Sequence, residues 1–327
     1  MRGLFRRCTW ALAALWLIGC DRAHIEIPTA DHPRLTANVI SKDVTFASIS
    51  LGRVISYRVI LPAALMPNRK LPVVYLLHGG GGSYRDWSNY SDVARYAEQG
   101  YVLVMPEGNY SYYTNSAEHP QDKFEDYIVK DLMADVESRF PAIPQRDSRA
   151  IIGVSMGGFG AVKIALKHPE LYGFAAGLSS ALDVPSRPFS VKRISQYRGH
   201  EQIFGAWGSA TRRENDPLVL VQTSDSKATP YMFLTCGDRE GLLAVNRKFA
   251  KLLRQRGFEY EFHSVAGGNH DELDMRRKQL MADPVIAASP AGKTGRVYVM
   301  DNRHFLTVSQ YVVKAVEDLA HEIYGNK

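Results

Sequence analysis

Cysteine is nearly absent: the 327-residue chain has three, Cys8, Cys20 and Cys236. That excludes a disulfide scaffold, which needs many more bridging residues. No charge of one sign dominates either. Lys and Arg number 40 against 34 Asp and Glu, a net charge of +6. An excess so small, spread along the chain, argues against nucleic acid as a partner. No apolar run reaches the roughly 20 residues that a membrane-spanning helix needs, and no internal repeat is visible. No group of His, Cys and Asp has metal-ligand spacing, so no metal and no other cofactor is expected. What remains is ordinary: 45% hydrophobic and 23% charged residues, the balance of a globular chain rather than a disordered one. A chain this long can bury roughly 75% of the surface its unfolded form exposes, enough for one large α/β domain or two small ones.

The first residues predict a compartment. Met1 to Arg7 is short and basic, and Cys8 to Gly19 is an apolar run containing Trp10 and Trp16. About a dozen apolar residues cannot cross the roughly 30 Å of a hydrocarbon core, but they suit the apolar region of an export signal. The run ends Leu17-Ile18-Gly19-Cys20, which resembles the bacterial lipobox, where small residues precede a cysteine that is lipidated and becomes the new N-terminus. Residues 1–19 are therefore expected to be a lipoprotein signal peptide, with an ordinary signal peptide as the alternative. Cys20 would carry fatty-acyl chains such as palmitate, and 20–36, with Pro28 and Pro33, would be a tether. Several acyl chains anchor far more firmly than one. The expectation is an exported, membrane-anchored protein facing the periplasm or the cell exterior, with Cys236 left as a lone thiol. Losing Arg2, Arg6 and Arg7 with the signal would bring the net charge to about +3.

Residues 37–327 show no linker and are expected to form one domain. Val44 to Leu61 alternates as paired antiparallel strands do. Leu71–Leu77 and Tyr101–Met105 are continuous apolar runs of the kind that form buried strands, and Ala150–Val154, Phe174–Leu178, Tyr231–Cys236 and Tyr260–Val265 are expected as further strands. Between them, Phe124–Phe140, Gly157–Lys167 and Leu242–Arg256 have helical character, and a last helix is predicted near Val308–Tyr324. Strands alternating with helices predict a mostly parallel sheet covered on both faces.

Two motifs carry chemistry. Gly153-Val154-Ser155-Met156-Gly157 is G-x-S-x-G between an apolar strand and a helix. A sharp strand-to-helix turn needs small residues on both sides of the serine, and it sets the hydroxyl at a helix N-terminus, where the dipole favours developing negative charge. His78-Gly79-Gly80-Gly81-Gly82 ends an earlier strand. A nucleotide-binding loop would continue Lys-Ser or Lys-Thr, whereas Ser83-Tyr84-Arg85 follows. A glycine loop of this type instead offers a backbone N–H to an oxyanion. One donor is assigned to the N–H of Met156 and the other to Gly80, with Gly79 and Gly81 as alternatives; His78 is expected to brace the loop.

Together with Met105-Pro106-Glu107-Gly108, Tyr127-Ile128 and Cys236-Gly237-Asp238-Arg239-Glu240, these motifs resemble the esterase D-type branch of the α/β-hydrolases over roughly Ser50–Gly268. That branch includes S-formylglutathione hydrolases, feruloyl and acetyl esterases, tributyrin esterases and mycolyltransferases. The resemblance implies the α/β-hydrolase fold and a triad in the chain order serine, acid, histidine. Its acid falls on Glu240 in a C-G-x-x-D register, with aspartate replaced by glutamate as in the mycolyltransferases; Asp238 is the alternative. Its histidine falls on His270 in Gly267-Gly268-Asn269-His270, where Asn269 and the following Asp271 depart from the pattern, and His304 is the alternative. Tyr112 and Asn115, after a strand's C-terminal edge, are expected to line the substrate site. Residues 183–227 have little regular apolar pattern and suggest a lid, or else a surface excursion with aromatics beneath it. Pro284 to Arg303 has no functional account.

The implied reaction is acyl transfer from a small ester, short-chain or acetyl/feruloyl and carbohydrate-linked in some of the family, to Ser155 and then to water. The rivals are transfer to an acceptor hydroxyl, as in the mycolyltransferases, and a non-catalytic tethered binding module.

Overall fold

A computed structural model describes residues 31–66, 68–188 and 194–266. Cys20, His270, His304 and the helix predicted near 308–324 lie outside these residues.

The apolar runs become the centre of an eight-stranded sheet: β1 (Val39–Ser48), β2 (Arg53–Pro62), β3 (Val73–Leu77), β4 (Val102–Pro106), β5 (Arg149–Val154), β6 (Phe174–Leu178), β7 (Tyr231–Gly237) and β8 (Tyr260–Val265). Their spatial order is β1-β2-β4-β3-β5-β6-β7-β8. β1 pairs antiparallel with β2, and β2 antiparallel with β4. All the other pairings are parallel, as crossover helices require.

The helices are α1 (Asp86–Tyr90), α2 (Ala94–Glu98), α3 (Phe124–Asp126), α4 (Met133–Arg139), α5 (Met156–Lys167), α6 (Ile194–Phe204), α7 (Ala210–Glu214), α8 (Pro217–Thr223) and α9 (Leu243–Arg256). Side chains alternate across a strand with a period of two, and here the alternation separates two cores. Val74, Leu76, Leu103, Ile152 and Phe233 pack with Trp87, Ala94 and Tyr96 of α1 and α2. Val73, Tyr75, Leu77, Ile151 and Leu234 pack on the other face with Val136, Phe159, Val162, Val221 and Phe249. The central strands β3, β4 and β6 are apolar throughout because both of their faces are covered, whereas the edge strand β8 is only half-buried.

Two stretches differ from the sequence reading. The single helix expected over 124–140 is α3 and α4 joined by a π-helical segment, Tyr127–Leu132. Tyr127, Ile128, Val129 and Leu132 are all buried there, a wider inward face than 3.6-residue spacing provides. Residues 183–227, which have no clear periodicity, contain α6, α7 and α8. Helices of one to three turns are too short for a periodic signal, and their ends are set by caps. The Ser209 side chain accepts from Arg212 N–H, and Asp216 accepts from Leu218 N–H with Pro217 starting α8.

Candidate active site

The C-terminal ends of the parallel strands converge on Ser155. This residue sits between β5 and α5 with φ 55° and ψ −111°, a conformation that non-glycine residues rarely adopt. Backbone bonds hold it there. Ser155 N–H donates to Leu178 C=O at 2.8 Å, while its own carbonyl accepts from Phe159 N–H at 3.0 Å and Ala181 N–H at 3.2 Å. The flanking glycines are steric necessities. A Cβ on Gly153 would overlap the Gly157 carbonyl, and one on Gly157 would overlap Leu77 O and stand 2.6 Å from His78 O. Ser155 is only partly buried, so its hydroxyl is accessible.

The glycine loop after β3 runs beside it. A Cβ built on Gly79 would be 3.6 Å from Ser155 Cβ, and one on Gly80 3.9 Å from Met156 Cβ. Among the described residues, neither Gly80 N–H nor Met156 N–H donates to a protein acceptor. His78 is a brace, with both ring nitrogens occupied. Nδ1–H donates to Gly79 C=O at 2.7 Å, and Nε2 faces Glu107 Oε1 at 3.2 Å and Gly108 N at 2.9 Å. Burial alone would pull the imidazole pKa down; the Glu107 carboxylate outweighs it and holds His78 above its ordinary value. Glu107 shows the converse. Burial pushes it up, but His78 and the Asn109 and Tyr84 N–H groups hold it below the usual carboxylate range.

Glu240 is held in place by two donors. Glu240 Oε1 accepts from Ser179 Oγ–H at 2.8 Å and from Gly237 N–H at 3.1 Å. The buried Cys236 thiol lies 3.5 Å from Oε2. Burial and the neighbouring carboxylate push that thiol far up, so it stays protonated and able to donate. Ser179 follows β6, adjacent to β5, and itself has φ 46°. Asp238 is exposed on the same turn, its N–H donating to Val265 C=O at 2.9 Å. His263 lies on β8, 2.6 Å from Glu261 Oε2 and stacked on Phe233, a structural setting.

The loop after β4 differs from expectation in which side chains it offers. Tyr112 is 5% exposed, packed against Phe159, His200 and Phe204. Asn115 spends its side-chain oxygen on the Glu125 and Asp126 N–H groups at 3.0 and 3.1 Å, at the start of α3. The accessible side chain is Tyr110, 48% exposed, whose ring edge would stand 3.0 Å from a Cβ on Gly80. Tyr110 also lines a cavity of about 320 Å³ with Asn109, His119, Phe124 and Gln202. Ser179 carries no sequence signal, because it acts through a spatial neighbour from another strand end, whereas Met105-Pro106-Glu107-Gly108 marks Glu107 and Tyr110 lies in the strand-end loop with Tyr112.

Comparison with known proteins agrees with this geometry. Residues 48–283 match the putative esterase family. An acetyl esterase of Caldicellulosiruptor saccharolyticus is 27% identical over 211 residues, covering 62% of this chain and 79% of that one. An esterase of Mycobacterium tuberculosis is 30% identical over 254 residues, covering 67% of this chain, which spans 52% of that longer protein. Among solved structures, a fluorophosphonate-binding serine hydrolase of Staphylococcus aureus superposes with a TM-score of 0.62 at 25% identity, covering 71% of this chain and 92% of that one. The elbow, the glycine loop and the sheet order thus belong together, and the chain belongs to the putative esterase family, as a serine esterase of the α/β-hydrolase fold.

Proposed function

We propose that the esterase works through an acyl-enzyme on Ser155, with His270 as general base and Glu240 as the acid that orients it. The observation that carries the acid assignment is the paired grip of Ser179 Oγ–H and Gly237 N–H on Glu240 Oε1. A carboxylate fixed at one oxygen can present the other to an imidazole, whereas Asp238 is exposed on the same turn. In the first step Ser155 Oγ attacks the ester carbonyl as its proton passes to His270, and the tetrahedral oxyanion is met by the N–H groups of Gly80 and Met156. His270 then protonates the leaving alcohol, and water repeats the sequence to release the acid. Glu240 keeps the imidazole tautomer and stabilises the imidazolium without itself taking the proton.

Short acyl groups, acetyl or feruloyl, are the proposed substrates. The Caldicellulosiruptor relative is named an acetyl esterase, and a relative in Xylanibacter ruminicola is named a xylanase/feruloyl esterase. The site is proposed to act outside the cytoplasm, tethered through acylated Cys20, on the strength of the basic, apolar and lipobox-like N-terminus. Cys20→Ser should then release the protein from the membrane fraction or leave it uncleaved; wild-type protein that washes off membranes with salt alone would overturn the anchor.

One panel of variants tests the chemistry on an activated aryl ester, with circular dichroism confirming the fold. Ser155→Ala should lower kcat by several orders of magnitude and abolish fluorophosphonate labelling. Glu240→Gln should lower kcat by roughly 10⁴, as loss of an orienting carboxylate does. Asp238→Asn should change it less than about twofold, as expected of an exposed side chain. A crippled Asp238→Asn beside a healthy Glu240→Gln would move the acid by two residues. Product analysis with added alcohols separates water from an acceptor hydroxyl in the second step.

A further inference from the structure

The strongest unexplained feature is a fully buried lysine on the helix that begins at Ser155. Lys163 Nζ donates to Tyr113 C=O at 2.6 Å, Thr114 Oγ1 at 2.8 Å and Glu125 Oε2 at 2.7 Å, so every ammonium proton is used. The other Glu125 oxygen meets Lys167 Nζ at 2.7 Å and His168 Nε2 at 3.0 Å. A charge network in the core has to be doing something that an apolar residue would not, since burying ions is unfavourable unless each is paired.

What it holds is a backbone in an unfavourable conformation. Asn109, Tyr112 and Tyr113 have φ of 46°, 53° and 50°, the left-handed region that bulky residues avoid. The Lys163 bond to Tyr113 C=O fixes the last of them. The Tyr113 ring is fully buried and seated on Gly160, where a Cβ would stand 2.6 Å from Cδ2. Its hydroxyl donates to His78 C=O at 3.1 Å, and its ring lies edge-on to the His78 imidazole at 5.8 Å.

That hydroxyl acts on the peptide at the mouth of the glycine loop. A trans peptide is planar, so holding the His78 carbonyl sends the Gly79 N–H the opposite way. The next peptide is held in turn, because Gly79 C=O accepts from His78 Nδ1–H at 2.7 Å and Gly82 N–H at 3.1 Å. The Gly80 N–H is then aimed away from the His78 ring. Two successive peptide planes are set, one by Tyr113 and one by His78.

We propose that Tyr113, locked in its left-handed conformation by the Lys163–Glu125 pair, is a positioning residue that aims the oxyanion-binding N–H of Gly80. The proposal rests on the hydrolase reading above, in which Gly80 binds the oxyanion. It assigns a catalytic consequence to a buried ion network two helical turns from the nucleophile, and it predicts an effect on the transition state rather than on substrate binding.

The test is Tyr113→Phe, which removes one hydroxyl and keeps the packed ring, with Lys163→Met as a more disruptive companion. Three quantities are measured: kcat and KM on an aryl ester, the inhibition constant of an alkyl boronic acid that mimics the tetrahedral adduct, and hydrogen exchange of the Gly82 amide. Tyr113→Phe should lower kcat and boronate affinity by about tenfold each, leave KM within about twofold, and speed Gly82 exchange, since one hydrogen bond to the loop is lost. A purely structural role would lower stability without splitting kcat from KM. Unchanged exchange, or faster exchange with wild-type kcat, overturns the proposal. Wild-type protein that neither turns over esters nor reacts with fluorophosphonate, yet shows faster Gly82 exchange in the variant, would overturn the hydrolase reading while leaving the hydrogen bond itself established.

Discussion

Two of the segments beside the active site that hold non-glycine residues at positive φ, the Ser155 elbow and the Asn109–Tyr113 loop, are held by opposite means. The Ser155 elbow is confined by what its neighbours lack: Gly153 and Gly157 allow the turn, and backbone atoms of β3 fill the space a side chain would need. The Asn109–Tyr113 loop is confined by what it touches, the Lys163–Glu125–Lys167–His168 network and the Ser111 hydroxyl, which donates to Gly108 C=O and accepts from Tyr113 N–H at 3.0 Å. Each left-handed residue is unfavourable by about 1–3 kcal/mol. In the elbow that cost is imposed by tight sterics and cannot relax. In the loop it is offset by charge, and charge can be titrated.

The largest expected effect breaks the elbow. In Gly157→Ala the added methyl would overlap the Leu77 carbonyl and crowd that of His78. These are backbone atoms of a central strand end, with no flexible side chain to swing aside. The expected loss is at least about 4 kcal/mol, in the range of severe core lesions, with esterase activity lost alongside. Urea unfolding of the purified variant measures it. A midpoint within experimental error of wild type would show that the elbow has slack and that sterics are not what confines it.

This difference also decides what could be read from sequence. Steric necessity leaves a local signature, because glycines at fixed offsets from a serine after an apolar strand have few other uses. The buried parallel strands were equally legible: Phe174–Leu178 falls where its apolar run is, since a strand buried on both faces must be apolar throughout. The register of Cys236-Gly237-Asp238-Arg239-Glu240 pointed to Glu240, but Ser179, which grips it, lies 61 residues away with no motif of its own. The charge-held loop was invisible for the same reason. Lys163 is a lone charge among Ala161, Val162, Ile164 and Ala165, and its partners lie 38 to 50 residues distant. Tyr112 was expected at the substrate because it follows a strand end. Position along the chain does not say which of three neighbouring tyrosines turns inward, and backbone dihedrals near 50° turned Tyr112 and Tyr113 into the core and left Tyr110 exposed.

A smaller and more selective effect follows from titrating the loop's network. Burial pushes the Glu125 carboxyl up, but Lys163, Lys167 and the His168 hydrogen bond together hold it well below the usual carboxylate range. Lys163 is drawn the other way, down to about 8, by burial and by the nearby Lys167, with Glu125 opposing. The asymmetry follows from the neighbours: the carboxylate has two lysine partners and a histidine hydrogen bond, the buried ammonium one anion. A carboxylate whose folded pKa is depressed contributes stability that is fully present above its unfolded value, about 4.3, and is lost as pH falls toward the folded one. Wild-type stability should therefore decline as pH drops below about 4.5. Other carboxylates titrate in the same window, so the informative quantity is a difference. Glu125→Gln should be less stable than wild type at pH 7, by about 3 kcal/mol for one partner removed from a buried pair. That gap should narrow steadily toward pH 3, because below about 4.3 the unfolded chain's Glu125 takes up a proton that the folded carboxylate resists. Urea midpoints for both proteins at several pH values give the gap directly. A gap that stays constant from pH 7 to pH 3 would mean that Glu125 holds the loop by shape alone. The contrast between the steric elbow and the charged loop would then fail on the loop's side.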